Sequence, residues 1–178
     1  MAMTDEEYML RAVELAKKGT GWTNPNPLVG AVIVKDGRII GEGYHKKYGE
    51  LHAEREALAS ANEDVSGATI YVTLEPCCHY GKQPPCVNAI IEAGIKRVVI
   101  GSYDPNPLVA GKGVDILREH NITVDDKLVC SEECKSLNYV FFNYIKEKKP
   151  YVILKYAQSL DGKIATHTGL SQWITGET

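Results

Sequence analysis

Read from the N-terminus, apolar positions first recur at helical spacing. In "TDEEYMLRAVELAKKG" (4–19), Met9, Ala12, Val13 and Ala16 fall on one face. Thr4 before the run, acids in its first turn and Gly19 after its last predict a helix. The pattern then changes to a continuous apolar run, "LVGAVIV" (28–34), of the length of a buried strand. The dipeptide Asp36-Gly37 turns it into "RIIGEGYH" (38–45), which predicts a hairpin. "HAEREALASANED" (52–64) returns to a helical pattern, and "ATIYVTLEP" (68–76) is a strand rich in β-branched residues. "PPCVNAIIEAG" (84–94) opens with Pro and closes with Gly, the asymmetry expected of a helix. "KRVVIGSY" (96–103) is again a strand, "VDILREH" (114–120) a short helix and "ITVDD" (122–126) a last strand. "SEECKSLNYVFFNYIKEKK" (131–149) reads as one closing helix that stops before Pro150.

A hairpin followed by strand–helix alternation implies an α/β fold, a mixed sheet with helices on both faces. No internal repeat or low-complexity segment interrupts it. The boundary falls at Lys149-Pro150, with one domain over 1–149. After it, "YVILKYAQSLDGKIA" starts a new strand and turn, but only 29 residues follow Lys149. A further domain needs on the order of 100–150.

Composition narrows the function classes. Apolar residues make up 44% and charged residues 24% of the 178, ordinary for a soluble globular protein. The net charge is −3 and the isoelectric point about 6.0, which argues against a large phosphate-neutralising surface and so against a nucleic-acid partner. No run approaches the roughly 18 apolar residues of a membrane span, and "MAMTDEEYML" lacks the basic-then-apolar order of a signal peptide. Five cysteines, three of them crowded together, do not suggest a secreted disulfide framework. A reducing cytoplasm is the expected location, and there crowded cysteines more often bind metal or do chemistry.

The crowding is in "EPCCHYGKQPPC" (75–86), and it gains meaning beside "LHAERE" (51–56). Zinc favours imidazole and thiolate, and a catalytic zinc keeps three protein ligands with water in the fourth position. His52, Cys77 and Cys86 supply that set, with one Zn²⁺ expected per chain. Positions i and i+2 of a regular helix lie about 200° apart. His52 and Glu54 therefore converge only if His52 stands at the helix start, where the backbone is not yet helical. Cys86, after Pro84-Pro85, also falls at a helix start, so the metal lies between two helix N-termini, which favour thiolate. His, a non-ligand Glu two residues on, a Pro-Cys pair and a second Cys form the signature of zinc-dependent nucleobase deaminases. There the metal acidifies water and the Glu, here Glu54, moves protons from water to the departing amine. One departure stands out: eight residues separate Cys77 from Cys86 where two are usual. Cys78 and His79 are the competing ligands; Cys77 is preferred because it keeps the Pro-Cys pair, and His79 is placed on the pocket wall.

"NPNPLVGAVIVKDGRIIGEGYHKKYGELHAE", "YVTLEPCCHYGKQPPC", "DPNPLVAGKG", "LKYAQSLDGKIA" and "GLSQWITG", in this order, resemble the bifunctional riboflavin-biosynthesis deaminase–reductase family across nearly the whole chain. That family carries the long insert between its two cysteines. The resemblance implies a cytidine-deaminase-like three-layer α/β/α fold with a mixed five-stranded sheet. It implies hydrolysis of the 2-amino group of a diaminopyrimidinone ribosylamine phosphate, with release of ammonia. By the same resemblance, Asn26 and His45 contact the ring or sugar, and Lys82, Asp104 and Asn106 lie near the ribose phosphate. Gln83, where a small hydroxyl residue is expected, and Cys78, where Ser is usual, depart from the pattern. The tail resembles the start of the family's NADPH-binding reductase domain. Ala157 and Trp173 match cofactor positions and Ser171 a substrate position, but the segment is too short to function, and NADPH belongs to a full-length parent.

Two other readings compete. One keeps the chemistry and changes the substrate to a nucleoside, nucleotide or tRNA base; the other is a non-catalytic, zinc-stabilised binding module with four closed ligands. The expected partners are a small phosphorylated pyrimidine and, by self-association, further copies of the chain. Cys130 and Cys134, four apart without another ligand nearby, read as packing thiols.

Overall fold

The computed structural model describes residues 3–106, 109–125 and 127–172. Helix α1 (Asp5–Lys17) starts on a reciprocal cap: the Glu7 amide donates to Thr4 Oγ1, and the Thr4 amide donates to the Glu7 carboxylate. Its buried face is the predicted one, Met9, Ala12, Val13 and Ala16, extended by Tyr8 and Leu15. Strands β1 (Gly30–Lys35) and β2 (Arg38–Tyr44) form the hairpin, turned by Asp36 and Gly37 with φ of 50° and 72°. Helix α2 (Ala53–Ser60), β3 (Thr69–Val72), α3 (Cys86–Glu92), β4 (Arg97–Ile100), α4 (Lys112–Glu119) and β5 (Thr123–Val124) follow.

The sheet order is β2-β1-β3-β4-β5. The pairs β1–β2 and β1–β3 are antiparallel, whereas β3–β4 and β4–β5 are parallel. This is the mixed five-stranded sheet expected, with helices on both faces. Alternation along β3 shows why two layers are needed. Ile70 and Val72 join Ala57, Ile90, Ile100 and Leu117 on one side, and Tyr71 joins Met9, Val13 and Val99 on the other. Each large apolar side chain buried this way contributes about 1.5–3 kcal/mol. The partly exposed Arg97 pairs with Asp5 and Asp125 are worth about 1 kcal/mol or less. Burial therefore holds the sheet together.

Gly43 fixes the seat of α2. A Cβ there would strike the Ala57 amide nitrogen and the Ala53 carbonyl, so the helix lies on the hairpin at backbone distance.

Three expectations need correction. The helix predicted over 52–64 ends at Ser60, because Ala61 turns extended and the Asn62 amide donates to Ile40 O across the hairpin. The closing helix is two, α5 (Ser131–Ser136) and α6 (Tyr139–Glu147). They break at Asn138, whose side-chain amide clamps Leu28: Oδ1 accepts from the Leu28 amide and Nδ2 donates to the Leu28 carbonyl, both at 2.7 Å. That tertiary demand, separated by 110 residues in sequence, outweighs a continuous helical pattern. Finally, no strand forms among the described residues after Pro150. Val152, Leu154 and Leu160 are exposed there, and a lone strand with no partner to pair with or pack against is not stable in water. A turn does form, from Ser159 to Lys163. Cys134 is buried in the core and Cys130 partly so.

Candidate active site

His52 is the N-cap of α2, with φ −75° and ψ 161°. Because this residue is extended, its imidazole escapes the helical screw and reaches the same cup as Glu54, two positions on. Cys86 is the first residue of α3, after Pro85. Cys77 lies beyond the end of β3, and α3 holds it in place: the Cys86 amide donates to Cys77 Sγ at 3.3 Å and the Val87 amide to Cys77 O at 3.2 Å. The sulfur thus faces the positive end of the helix, where thiolate is favoured.

His52 Nδ1 lies 3.5 Å from Cys77 Sγ and 3.4 Å from Cys86 Sγ. Among the described residues, these three form the group able to hold a metal ion; Cys78 and His79 are outside it. Zinc bonds of about 2.0 Å to nitrogen and about 2.3 Å to sulfur, at a tetrahedral angle, place the two ligand atoms about 3.5 Å apart. The cup fits that ion. Its protonation points the same way. Cys77 is pushed down to about 4, first by the hydrogen bond from Cys86 and then by that from His52. Cys86 is held well above the usual thiol range, first by Cys77 and then by burial. His52 is raised, first through its bond to Cys77. Two sulfurs and an imidazole sharing protons in a buried cup are a donor set suited to a soft divalent cation.

Glu54 is buried at 3% exposure. Burial first, and the Cys77 charge second, push its carboxyl up to about 7. His45, its ring centre 5.4 Å from that of His52, is also buried. Its Nδ1 lies 2.9 Å from the Leu51 carbonyl, which can only accept, so Nδ1 carries the proton. Nε2, 3.1 Å from Asn26 Nδ2, is then the acceptor. Burial pulls the His45 pKa down, in keeping with a neutral ring. The pair fixes the Asn26 amide at the cleft wall.

These groups form the floor and one wall of a cleft of about 380 Å³, within the range of small-molecule sites. Asn26, His45, His52, Glu54, Cys77, His79, Lys82, Asp104 and Asn106 all line it, and Cys86 lies buried against His52. Asp104 accepts from the Asn106 amide at 2.8 Å, and burial raises its carboxyl above the usual range. The insert folds back over residues 48–50: Gln83 donates to the Gly49 carbonyl at 3.2 Å, and Lys82 Nζ lies 4.1 Å from the centre of the Tyr48 ring. Ala157 and Ser171 are exposed and line no part of the cleft, and Trp173 lies outside the described residues.

Several lining residues escaped the sequence reading. Phe141 and Ile145, four apart on α6, close one side of the cleft, and Tyr48 and Glu75 also line it. The i, i+4 spacing of the first two was a visible signal, but nothing in it said that the face covers a cleft and not the core.

Residues 2–102 match the family described as the cytidine and deoxycytidylate deaminase zinc-binding region. The chain belongs to that family. Its cytidine-deaminase-like fold is as expected, and residues 150–178 match the RibD C-terminal domain. The riboflavin biosynthesis protein RibD of Actinobacillus pleuropneumoniae is 61% identical over 99% of this chain and 46% of its own length. The Thermotoga maritima diaminohydroxyphosphoribosylaminopyrimidine deaminase/5-amino-6-(5-phosphoribosylamino)uracil reductase is 58% identical, with a TM-score of 0.91 over 97% of this chain and 50% of that one. Acinetobacter baumannii RibD superposes with a TM-score of 0.90 at 52% identity, over 97% of this chain and 48% of that one. The resemblance read from the motifs is borne out, and the chain spans about half the length of the curated relatives it matches. Among the described residues, no helix of this deaminase-family chain is long and apolar enough to cross a membrane.

Proposed function

We propose that the chain hydrolyses 2,5-diamino-6-(5-phosphoribosylamino)pyrimidin-4-one to 5-amino-6-(5-phosphoribosylamino)uracil and ammonia. The observation that carries this reading is the His52–Cys77–Cys86 cup with its 3.4 and 3.5 Å edges, next to a buried carboxylate at the floor of a cleft. In this reading His52, Cys77 and Cys86 hold zinc, which when bound lowers the pKa of a water toward about 7. Glu54 takes a proton from the attacking water and later delivers it to the leaving nitrogen. The new C–O bond forms at C2, and the exocyclic C–N bond then breaks. The amine departs as ammonia with the proton from Glu54, and the remaining water proton ends on the ring nitrogen as C2 becomes a carbonyl. Burial of Glu54 keeps bulk water from competing for that proton.

Asn26 and His45 orient the ring from the cleft wall, while His79, Lys82, Asp104 and Asn106 surround the ribose phosphate at the rim. Lys82 brings a mobile cation to it. The relatives named above, a RibD and a deaminase/reductase, support this choice of substrate. We also place the domain boundary at Lys149-Pro150. Ala157, Ser171 and Trp173 then belong to a reductase domain that binds NADPH in a longer protein. Self-association and a cytoplasmic location complete the reading.

Ammonia release, measured with this compound, deoxycytidylate, cytidine and a tRNA, tests it. Turnover of the pyrimidinone phosphate alone, abolished by chelation and restored by Zn²⁺, is the expected result. Preference for another member of the panel, or full activity after verified metal removal, overturns it.

A further inference from the structure

Glu75 is buried at 3% exposure, and no step above uses it. It stands two residues before Cys77, where the extension of β3 runs beside that of β4, and its amide donates to the Ser102 carbonyl at 2.9 Å. Its carboxylate accepts four backbone N–H groups. Oε2 takes those of Asp104 at 3.3 Å and Gly111 at 3.0 Å, and Oε1 those of Gly113 at 3.1 Å and Val114 at 3.4 Å. Asp104 opens the segment between β4 and α4, whereas Gly111 to Val114 close it into the helix. One side chain therefore ties both ends of the segment that carries Asp104 and Asn106. The two oxygens offer about four lone-pair sites, and backbone donors on both ends of the segment take them.

Gly113 supplies a second, independent observation. A Cβ at this position would strike the Pro76 carbonyl and come within 3.2 Å of Glu75 Oε1. The start of α4 is thus held at backbone distance from the residue preceding Cys77. The metal loop and the Asp104 turn meet at Glu75, which also lines the cleft.

We propose that Glu75 is a positioning residue. It sets the Asp104–Asn106 turn against the Cys77 loop, so that the phosphoribosyl end of the substrate and its reacting carbon are held in register. This rests on the functional reading above. His52 and Cys86 come from other elements, and Cys77 is held by the Cys86 and Val87 amides at the start of α3, so loosening the turn leaves the metal cup intact.

Three measurements on the zinc-loaded full chain test the proposal, with Glu75→Gln and Gly113→Ala as variants: metal content, steady-state kinetics on the pyrimidinone phosphate, and amide hydrogen exchange. Gln at 75 puts a donor against backbone donors, and Ala at 113 displaces the turn while keeping the carboxylate. Both should retain one zinc per chain and raise KM on the order of ten- to a hundredfold, with kcat changed far less. In the Gln variant, exchange should quicken at Asp104, Gly111, Gly113 and Val114 but not at Ile70 or Val72. A KM within about twofold of the parent in either folded variant overturns the proposal. So does loss of zinc in step with activity, since Glu75 then merely braces the metal loop. If the parent chain releases no ammonia from this substrate, the functional reading fails instead, and the exchange pattern still reports whether Glu75 holds the turn.

Discussion

The floor of the cleft and its rim are built differently. His52, Glu54 and Cys86 sit at the starts of α2 and α3, Cys77 is gripped by α3 amides, and Glu54 and Cys86 are buried. His79 to Lys82 lie instead on an exposed loop, held across residues 48–50 by one Gln83 hydrogen bond and one cation–ring contact. The floor must hold charge away from water, where an uncompensated group is costly, so its geometry is enforced by core packing. In the proposed function the rim meets a phosphorylated tail in solvent and needs only a cation within reach. Loss of a floor residue should therefore remove chemistry, and loss of a rim residue should weaken binding.

The largest effect tests the floor. Glu54→Gln preserves shape and removes the proposed proton carrier, so zinc content should be unchanged while kcat falls by about 10²–10⁴. Near-normal ammonia release by that variant refutes the assigned role. Lys82→Ala sharpens the contrast from the rim: KM should rise roughly tenfold with kcat little altered, since one charge-assisted contact is lost at an exposed site. If kcat falls as much as for Glu54→Gln, the division between floor and rim is wrong.

The smallest effect lies outside the cleft. The hydrogen bonds from Arg97 hold the Asp5 carboxyl below its ordinary 3.8. Its contribution to stability is thus complete above the unfolded-state value and is lost as pH falls through the lower folded-state one. Asp5 is 40% exposed, so solvent screening limits this to about 1 kcal/mol or less. Denaturant melts of Asp5→Asn against the parent should differ slightly at pH 7 and converge toward pH 2. A gap that widens on acidification would mean that Arg97 does not favour the ionised carboxyl.

Much of the floor was legible because it follows local rules. A histidine and a glutamate two apart converge only at a helix start, and a proline pair before Cys86 marks another such start. The rim and the α6 wall were harder to read. "SLNYVFFNYIKE" has the periodicity of one helix with its neighbour α5, yet Asn138 breaks it to bind Leu28. The same break gives the chain that places Phe141 and Ile145 its own start beside the cleft.

From its order of residues alone, this protein's element sequence, mixed sheet, zinc-type donor set and family resemblance could be read. Each depends on periodicity, turn chemistry or ligand preference, all properties of short segments. Only the folded chain decided where α2 and the closing helix end, that Glu75 ties both ends of the Asp104 segment, and that α6 walls the cleft. Those outcomes depend on backbone groups tens of residues apart competing for hydrogen bonds, and no local pattern encodes which partner wins.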